Sequence, residues 1–176
     1  MTRPWTDAEL MVLPEDGFKR ELVDGEIHLS PAGFLHGRVI IALALKVGAF
    51  VETGNLGALA DSSTGVWMPS GNLRVPDLLF IARERLPDPR VKGFLRVVPD
   101  LVVEVLSSGD SERAILDKVG EYLAAGVRLV WVIDPQARRA AEHRSLTNVR
   151  DVGEAEDLRG DDVLPGFRCR LGDVLG

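Results

Sequence analysis

The sequence has a single cysteine, no excess of positive charge and no obvious membrane segment. One cysteine, Cys169, excludes an internal disulfide and a cysteine-based metal cluster. A net charge of −6 argues against coating of nucleic acid through bulk electrostatics. We find no apolar run of transmembrane length, and the N-terminus lacks the basic and apolar regions of a signal peptide. These absences favour a cytoplasmic protein without a membrane partner.

Length and composition indicate one globular domain over residues 1–176. The chain is 45% hydrophobic and 27% charged, which is ordinary for a protein with one sizeable core. Arginine and lysine are concentrated in residues 83–96 and 138–150, whereas residues 151–176 are acidic. These basic segments are either solvated loop and edge-strand charges or a local contact with phosphates.

Turn and capping signals divide the chain into alternating helices and strands. Thr6 and Glu9 form a capping box for a short first helix, and Asp24-Gly25 fits the turn of a hairpin over 20–30. Helices are also expected over 31–51 and from about 110 to 125, where Gly126 is the C-cap. Strands are expected over 57–61, 65–68, 74–81, 100–106, 127–133 and 140–144, with a further strand and turn within 163–174.

The strand over 100–106, the helix that follows and the strand over 127–133 form a β-α-β unit, so these two strands should be parallel. The order of elements predicts an α/β fold with a central mixed sheet flanked by helices.

Two acidic residues occupy apolar strand segments from which acids are normally excluded. Asp77 lies in Val75-Pro76-Asp77-Leu78-Leu79, and Glu104 lies in Val102-Val103-Glu104-Val105. Burying an isolated carboxylate is costly unless it is paired or binds a metal. If the strands are neighbours in register, both side chains point to one face, where a cation between them relieves their repulsion. This predicts an oxygen-ligand site for Mg²⁺ or Mn²⁺. The alternative is that each acid pairs with an arginine such as Arg74 or Arg96.

A lysine in the next helix can approach the same place. Lys118 flanks the apolar stripe formed by Ile115, Val119 and Tyr122, so it can reach back toward the face that carries Glu104. There it could orient an attacking water or offset charge on a phosphate. The alternative is a surface lysine with a buried stem.

Six short motifs occur in the order found in one nuclease class. They are Glu21-Leu22-Val23-Asp24-Gly25, His36, Pro76-Asp77, Glu104-Val105-Leu106-Ser107, Lys118 to Tyr122, and Gly126 to Asp134-Pro135 with Trp131. Together they resemble the PD-(D/E)xK nuclease superfamily, and within it the Uma-type family of restriction-endonuclease-like proteins. The match spans about residues 15–145. It departs at Leu106, where the class expects lysine, although some of its families carry that lysine on the following helix.

The resemblance implies a restriction-endonuclease-like core and metal-dependent hydrolysis of phosphodiester bonds in DNA. Asp77 and Glu104 would be the Mg²⁺ or Mn²⁺ ligands, and Lys118 would lie beside the water. Glu21 would be a further acid from the first hairpin, or else an ordinary surface acid. His36 could face the cleft, or cap or fill the core. Substrate is expected to approach over 83–96, and a homodimer would fit a class that cuts duplexes as symmetric pairs.

Two other functions remain open at this point. The fold could serve as a catalytically inactive binding or dimerisation module, which the acidic net charge favours. The same metal chemistry could also hydrolyse another phosphate ester or nucleotide.

Overall fold

The computed structural model describes residues 5–14, 18–30, 33–90 and 92–176. In chain order the elements are α1 (Asp7–Met11), β1 (Lys19–Val23), β2 (Glu26–Ser30), α2 (Phe34–Gly54), β3 (Gly57–Asp61), β4 (Val66–Trp67), β5 (Leu73–Arg74), β6 (Leu78–Ala82), a 3₁₀ turn (Arg83–Arg85), β7 (Leu101–Val105), α3 (Glu112–Ala125), β8 (Leu129–Asp134), β9 (Arg139–His143), β10 (Val149–Gly153), β11 (Asp157–Arg159), β12 (Arg168–Arg170) and α4 (Gly172–Leu175).

A mixed sheet forms the centre of the protein, with strand order β10-β9-β8-β7-β6-β3. Strands β7 and β8 are parallel and the other neighbouring pairs are antiparallel. The predicted α/β fold with a mixed sheet and the parallel β-α-β pair are therefore confirmed. The long apolar runs of β7 and β8 are buried on both faces, as expected for central strands that helices cover on each side.

Two apolar clusters hold the helices onto the two faces of this sheet. One face packs against α2, α4 and the segment before β12, around Val39, Leu43, Trp131 and Phe167. The opposite face packs against α3, around Val119 and Tyr122. The alternation of side chains along β7 divides its residues between these clusters, since Val103 belongs to the first and Val102 to the second.

A smaller sheet lies beside the central one, with strand order β2-β1-β5-β4. The predicted hairpin is present, and Asp24 and Gly25 both take positive φ angles of 51° and 86° at its turn. The predicted capping box at Thr6 is also present at the start of α1. Strands β3 and β4, neighbours in sequence, belong to different sheets.

Helix α2 differs from the sequence expectation in two respects. Its predicted start at Pro31 lies outside the described residues, and it ends at Gly54 rather than near Val51. By length and composition it could also cross a membrane, so the prediction that no apolar run reaches that length is wrong. One face of α2 packs on the central sheet through Val39, Leu43 and Val47.

Candidate active site

Asp77, directly before β6, lies opposite Glu104 of β7. Leu78 is paired with Val103, so extending this antiparallel register by one residue places Asp77 opposite Glu104, and opposed residues project to the same side. The Asp77 backbone N–H donates to the Val103 carbonyl at 3.1 Å, and its Oδ2 accepts from the Val105 N–H at 2.8 Å. Both carboxylates are buried. The structure thus brings the two acids together as the sequence predicted.

Asp77 does not lie within a strand, however, as the sequence led us to expect. The predicted strand over 74–81 is interrupted between β5 and β6. Pro76 has no N–H to donate to a neighbouring strand, which is a reason for the ladder to break there. Asp77 follows this break, and its position is fixed by the two hydrogen bonds to β7.

Lys118 extends from α3 to a position between two acids. Its Nζ lies 3.0 Å from Glu104 Oε1 and 3.0 Å from Glu21 Oε1. One turn further along α3, the Tyr122 hydroxyl donates to the same Glu104 oxygen at 2.7 Å. The spacing of four residues places both groups on one face of the helix. The structure therefore places the amine of Lys118 in direct contact with Glu104, even though Leu106 occupies the position at which the class expects lysine.

Glu21 belongs to the site rather than to the surface of the hairpin. It is buried, its Oε1 accepts from the Val75 N–H at 2.8 Å, and its Oε2 lies 3.3 Å from Arg74 Nη1. Burial would raise the pKa of Glu21, but the charge of Lys118 and the Val75 hydrogen bond outweigh burial and hold the pKa below its ordinary value.

The sequence reasoning missed Lys19, the second lysine at the acids. Its Nζ lies 2.8 Å from Asp77 Oδ1 and 3.8 Å from Glu104 Oε2, so one ammonium contacts both carboxylates. A signal was available: Lys19 and Glu21 are two residues apart in β1, and side chains at that spacing share a face. The alternative that Arg74 or Arg96 pairs with these acids is wrong, since Arg74 pairs with Glu21 and Arg96 with Asp7.

His36, whose place the sequence left open, lies at the cleft in the first turn of α2. Its Nε2 is 3.1 Å from Asp77 Oδ2, while its buried Nδ1 has no hydrogen-bond partner among the described residues. Burial would raise the pKa of Asp77, but the His36 hydrogen bond and the charge of Lys19 hold it well below its usual range. Asp77 is therefore ionised at neutral pH.

Glu104 has the opposite shift. Burial raises its pKa more than the charges of Lys118 and Lys19 lower it. Burial alone would lower the pKa of Lys118, but Glu104 and Glu21 raise it above its ordinary value, so this ammonium keeps its charge. Adjacent carboxylates with opposite pKa shifts are typical of functional sites.

An open cleft with a volume of about 880 Å³ is lined by Lys19, His36, Asp77, Glu104 and Lys118. Its walls include the end of β7, the loop that follows and the start of α2, and exposed apolar side chains such as Leu29 and Phe34 lie at its rim. None of the described residues of 83–96 lines the cleft, so the predicted approach over that segment is not supported.

Most arginines of the two basic segments instead pair with acids of the protein, whereas Arg83 donates to the Asn55 carbonyl. Arg85 contacts Asp100 and Arg90 contacts Asp88, while in the second segment Arg150 contacts Glu142. The reading of these segments as ordinary surface ion pairs therefore fits the structure better than a phosphate contact.

The donor set at the cleft suits a hard divalent cation. Within the described part of the chain, no three Asp, Glu, His or Cys side chains are grouped as a complete metal-binding set. Mg²⁺ nevertheless commonly binds through one or two carboxylates, with water and substrate phosphate as its other ligands. The Lys19 ammonium already occupies a cation position between Asp77 and Glu104. The residues thus fit such an ion, provided that Lys19 gives way.

The fold and the site together define a restriction-endonuclease-like protein of the α/β class. A family model described as Uma2, "Putative restriction endonuclease", matches residues 7–172, and the chain belongs to this family. Proteins of this class generally use divalent metal ions and act on nucleic acid, which supports a nuclease-like function.

Among solved structures, the crystal structure of a "putative nuclease belonging to DUF820" from Anabaena variabilis ATCC 29413 is similar to this chain. It matches with a TM-score of 0.85 over 98% of each chain at 17% sequence identity. At this identity the likeness shows the fold alone. No curated protein matches the chain.

Proposed function

We propose that this protein is a metal-dependent nuclease that hydrolyses phosphodiester bonds in DNA. The observation that carries the proposal is that two buried carboxylates, Asp77 and Glu104, share one ammonium at the wall of an open cleft. We assign these two side chains as the ligands of Mg²⁺ or Mn²⁺. The chemistry that such an ion supplies is polarisation of a phosphate oxygen and activation of water.

The residues around the pair have separate roles in this proposal. Lys118 is held between Glu104 and Glu21, so its charge has a fixed position from which it can orient a water or offset charge on phosphate. Glu21 positions Lys118 and is itself held by the Val75 N–H. His36 and the Val105 N–H fix the orientation of Asp77.

The test is a nuclease assay on duplex and single-stranded DNA with Mg²⁺ or Mn²⁺, using Asp77→Ala and Glu104→Ala. We expect each substitution to abolish cleavage. A matched control is Glu142→Gln, which alters a buried acid that pairs with Arg150 away from the cleft. Cleavage that survives both alanine substitutions would contradict the assignment.

A catalytically inactive module is the competing function. The observation in its favour is that the basic side chains among the described residues of the cleft, Lys19, His36 and Lys118, all already contact acids of the protein. Calorimetry with Mn²⁺ discriminates between the two: an inactive module has no need of metal affinity, whereas the nuclease requires it. Activity on mononucleotides or other phosphate esters, but not on DNA, would retain the metal chemistry and change the substrate. The cytoplasm remains the proposed location.

A further inference from the structure

The outward face of α2 carries an apolar stripe that nothing in the described structure covers. At roughly 100° per residue, positions 34, 38, 41, 45 and 52 project within about 60° of one another. Phe34 is 88% exposed, Ile41 63% and Leu45 70%. The buried side of the helix, which contains Val39, Leu43, Val47 and Val51, lies opposite. The exposed stripe is thus a second apolar face on a helix whose first face already packs on the sheet.

Charged residues at the two ends make this stripe complementary to itself. Arg38 lies toward the start of α2, where its guanidinium also lies against Gly176, and Glu52 lies toward the end of the helix. Within the described ranges neither side chain has an acidic or basic partner at ion-pair distance. Suppose that a second copy of α2 packs antiparallel to the first, with Leu45 facing Leu45 of the other copy. Two residues then face each other across the pair when their residue numbers add up to 90. Arg38 then faces Glu52 twice, and Ile41 faces the small Ala49 twice.

We propose that a second copy of this chain covers the α2 stripe in an antiparallel, two-fold symmetric dimer centred on Leu45. A symmetric pair requires a surface that matches itself under rotation, which this arrangement of charges and volumes provides. Against a membrane surface, by contrast, the acidic Glu52 would have no partner. The inference concerns assembly and does not depend on whether the cleft is catalytic.

The proposed dimer has a geometric consequence for the cleft. His36 lies near the start of α2, nine residues before Leu45. In the antiparallel pair the two His36 positions are separated by 18 residues along the axis, or about 27 Å at 1.5 Å per residue. Two copies of the cleft would thus lie at opposite ends of the helix pair.

Sedimentation equilibrium and light scattering of the full chain test the assembly. We expect wild type to be dimeric in the micromolar range. Leu45→Glu places two like charges against each other at the two-fold axis, and we expect it to raise the dimer dissociation constant by about 100-fold or more. Leu146→Glu is the matched control, because Leu146 is similarly exposed but lies outside α2, and it should remain dimeric.

A charge exchange tests the antiparallel register itself. Arg38→Glu and Glu52→Arg should each weaken the dimer by about 10-fold, and the double variant should return to within about threefold of wild type. Leu45→Cys should form a disulfide-linked dimer on mild oxidation, because symmetry brings the two Cys Cα atoms close, whereas Leu146→Cys should not.

Three outcomes would overturn the proposal. One is a wild-type monomer throughout the micromolar range. Another is a dimer that Leu45→Glu leaves intact. The third is a monomer that co-sediments with phosphatidylcholine vesicles and loses this binding in Leu45→Glu, which would assign the stripe to a membrane.

Discussion

Replacing Lys19 by methionine is expected to tighten Mn²⁺ binding at the cleft. The Lys19 Nζ lies 2.8 Å from Asp77 and 3.8 Å from Glu104, so a divalent ion that uses both carboxylates must displace this ammonium. Methionine retains an unbranched apolar stem without the charge. The variant therefore removes the internal competitor and leaves both proposed ligands in place.

The size of the effect follows from the two contacts. Unit charges 4 Å apart interact by about 4 kcal/mol at an effective dielectric constant of about 20. Much of this is offset, because a displaced Lys19 recovers hydration and remains near the site as a mobile charge. A net gain of about 1.4 to 2.8 kcal/mol corresponds to a Kd about 10- to 100-fold lower.

Isothermal titration with Mn²⁺ measures this change directly. Arg85→Met is the matched control, since it removes a cation from buried Asp100 outside the cleft and should leave the Mn²⁺ Kd unchanged. Circular dichroism checks that the variants are folded, and Lys19→Gln serves as a second neutral variant. An unchanged or weaker Mn²⁺ affinity in both folded Lys19 variants would refute the reasoning.

Three further predictions concern the groups around the acids. Lys118→Met leaves Glu104 and Glu21 without their shared cation, and urea unfolding should show a loss of about 3 to 5 kcal/mol, with Lys118→Arg recovering part of it. Since the folded-state pKa of Asp77 lies below its ordinary value of 3.8, its stabilising contribution is complete above about pH 4 and is lost as the pH falls further. Between pH 6 and pH 2, the melting temperature of Asp77→Asn should therefore fall less steeply than that of the wild type. Tyr122→Phe keeps the ring but removes one hydrogen bond to Glu104, and it should cost about 1 to 2 kcal/mol in urea unfolding.

The parts of the fold that sequence predicts well are specified by neighbouring residues. The apolar run of β8 and Gly126, whose φ of 105° requires glycine, are local signals, and the structure has both of them. The cap of α3 was expected within Ser107 to Asp110, but the N-cap is Ser111, whose side chain accepts from the Ala114 N–H. Strands β10 and β11 were not predicted. Their sequences are polar and short, and they are set by pairing with β9 and β12, which no local pattern encodes.

In the candidate site, too, local sequence predicts some residues, whereas others are placed by contacts between distant parts of the chain. Asp77 and Glu104 were detectable because acids in apolar strand segments contradict the local pattern. Lys118 was placed by helical spacing. Lys19 was not predicted, because its contact with Asp77 joins residues 58 positions apart, one in β1 of the smaller sheet and the other just before β6 of the central sheet. Pro76 was a visible signal for a break in the strand before Asp77. The apolar residues on either side nevertheless favoured the prediction of one continuous strand.

The two lysines provide the argument that separates a reactive site from a merely stabilised one. Ion pairing alone explains how buried carboxylates are tolerated, so burial of Asp77 and Glu104 does not by itself require a metal. The lysines are held differently, however: Lys118 contacts two acids at 3.0 Å each, whereas Lys19 contacts Asp77 closely and Glu104 only at 3.8 Å. If both were structural, neutralising either would destabilise the protein, and Lys19→Met would not favour Mn²⁺ more than Lys118→Met does. If Lys19 holds the place of the ion, Lys19→Met must strengthen Mn²⁺ binding more than Lys118→Met, because only Lys19 contacts both carboxylates, and this difference distinguishes a metal site from an ordinary buried ion-pair network.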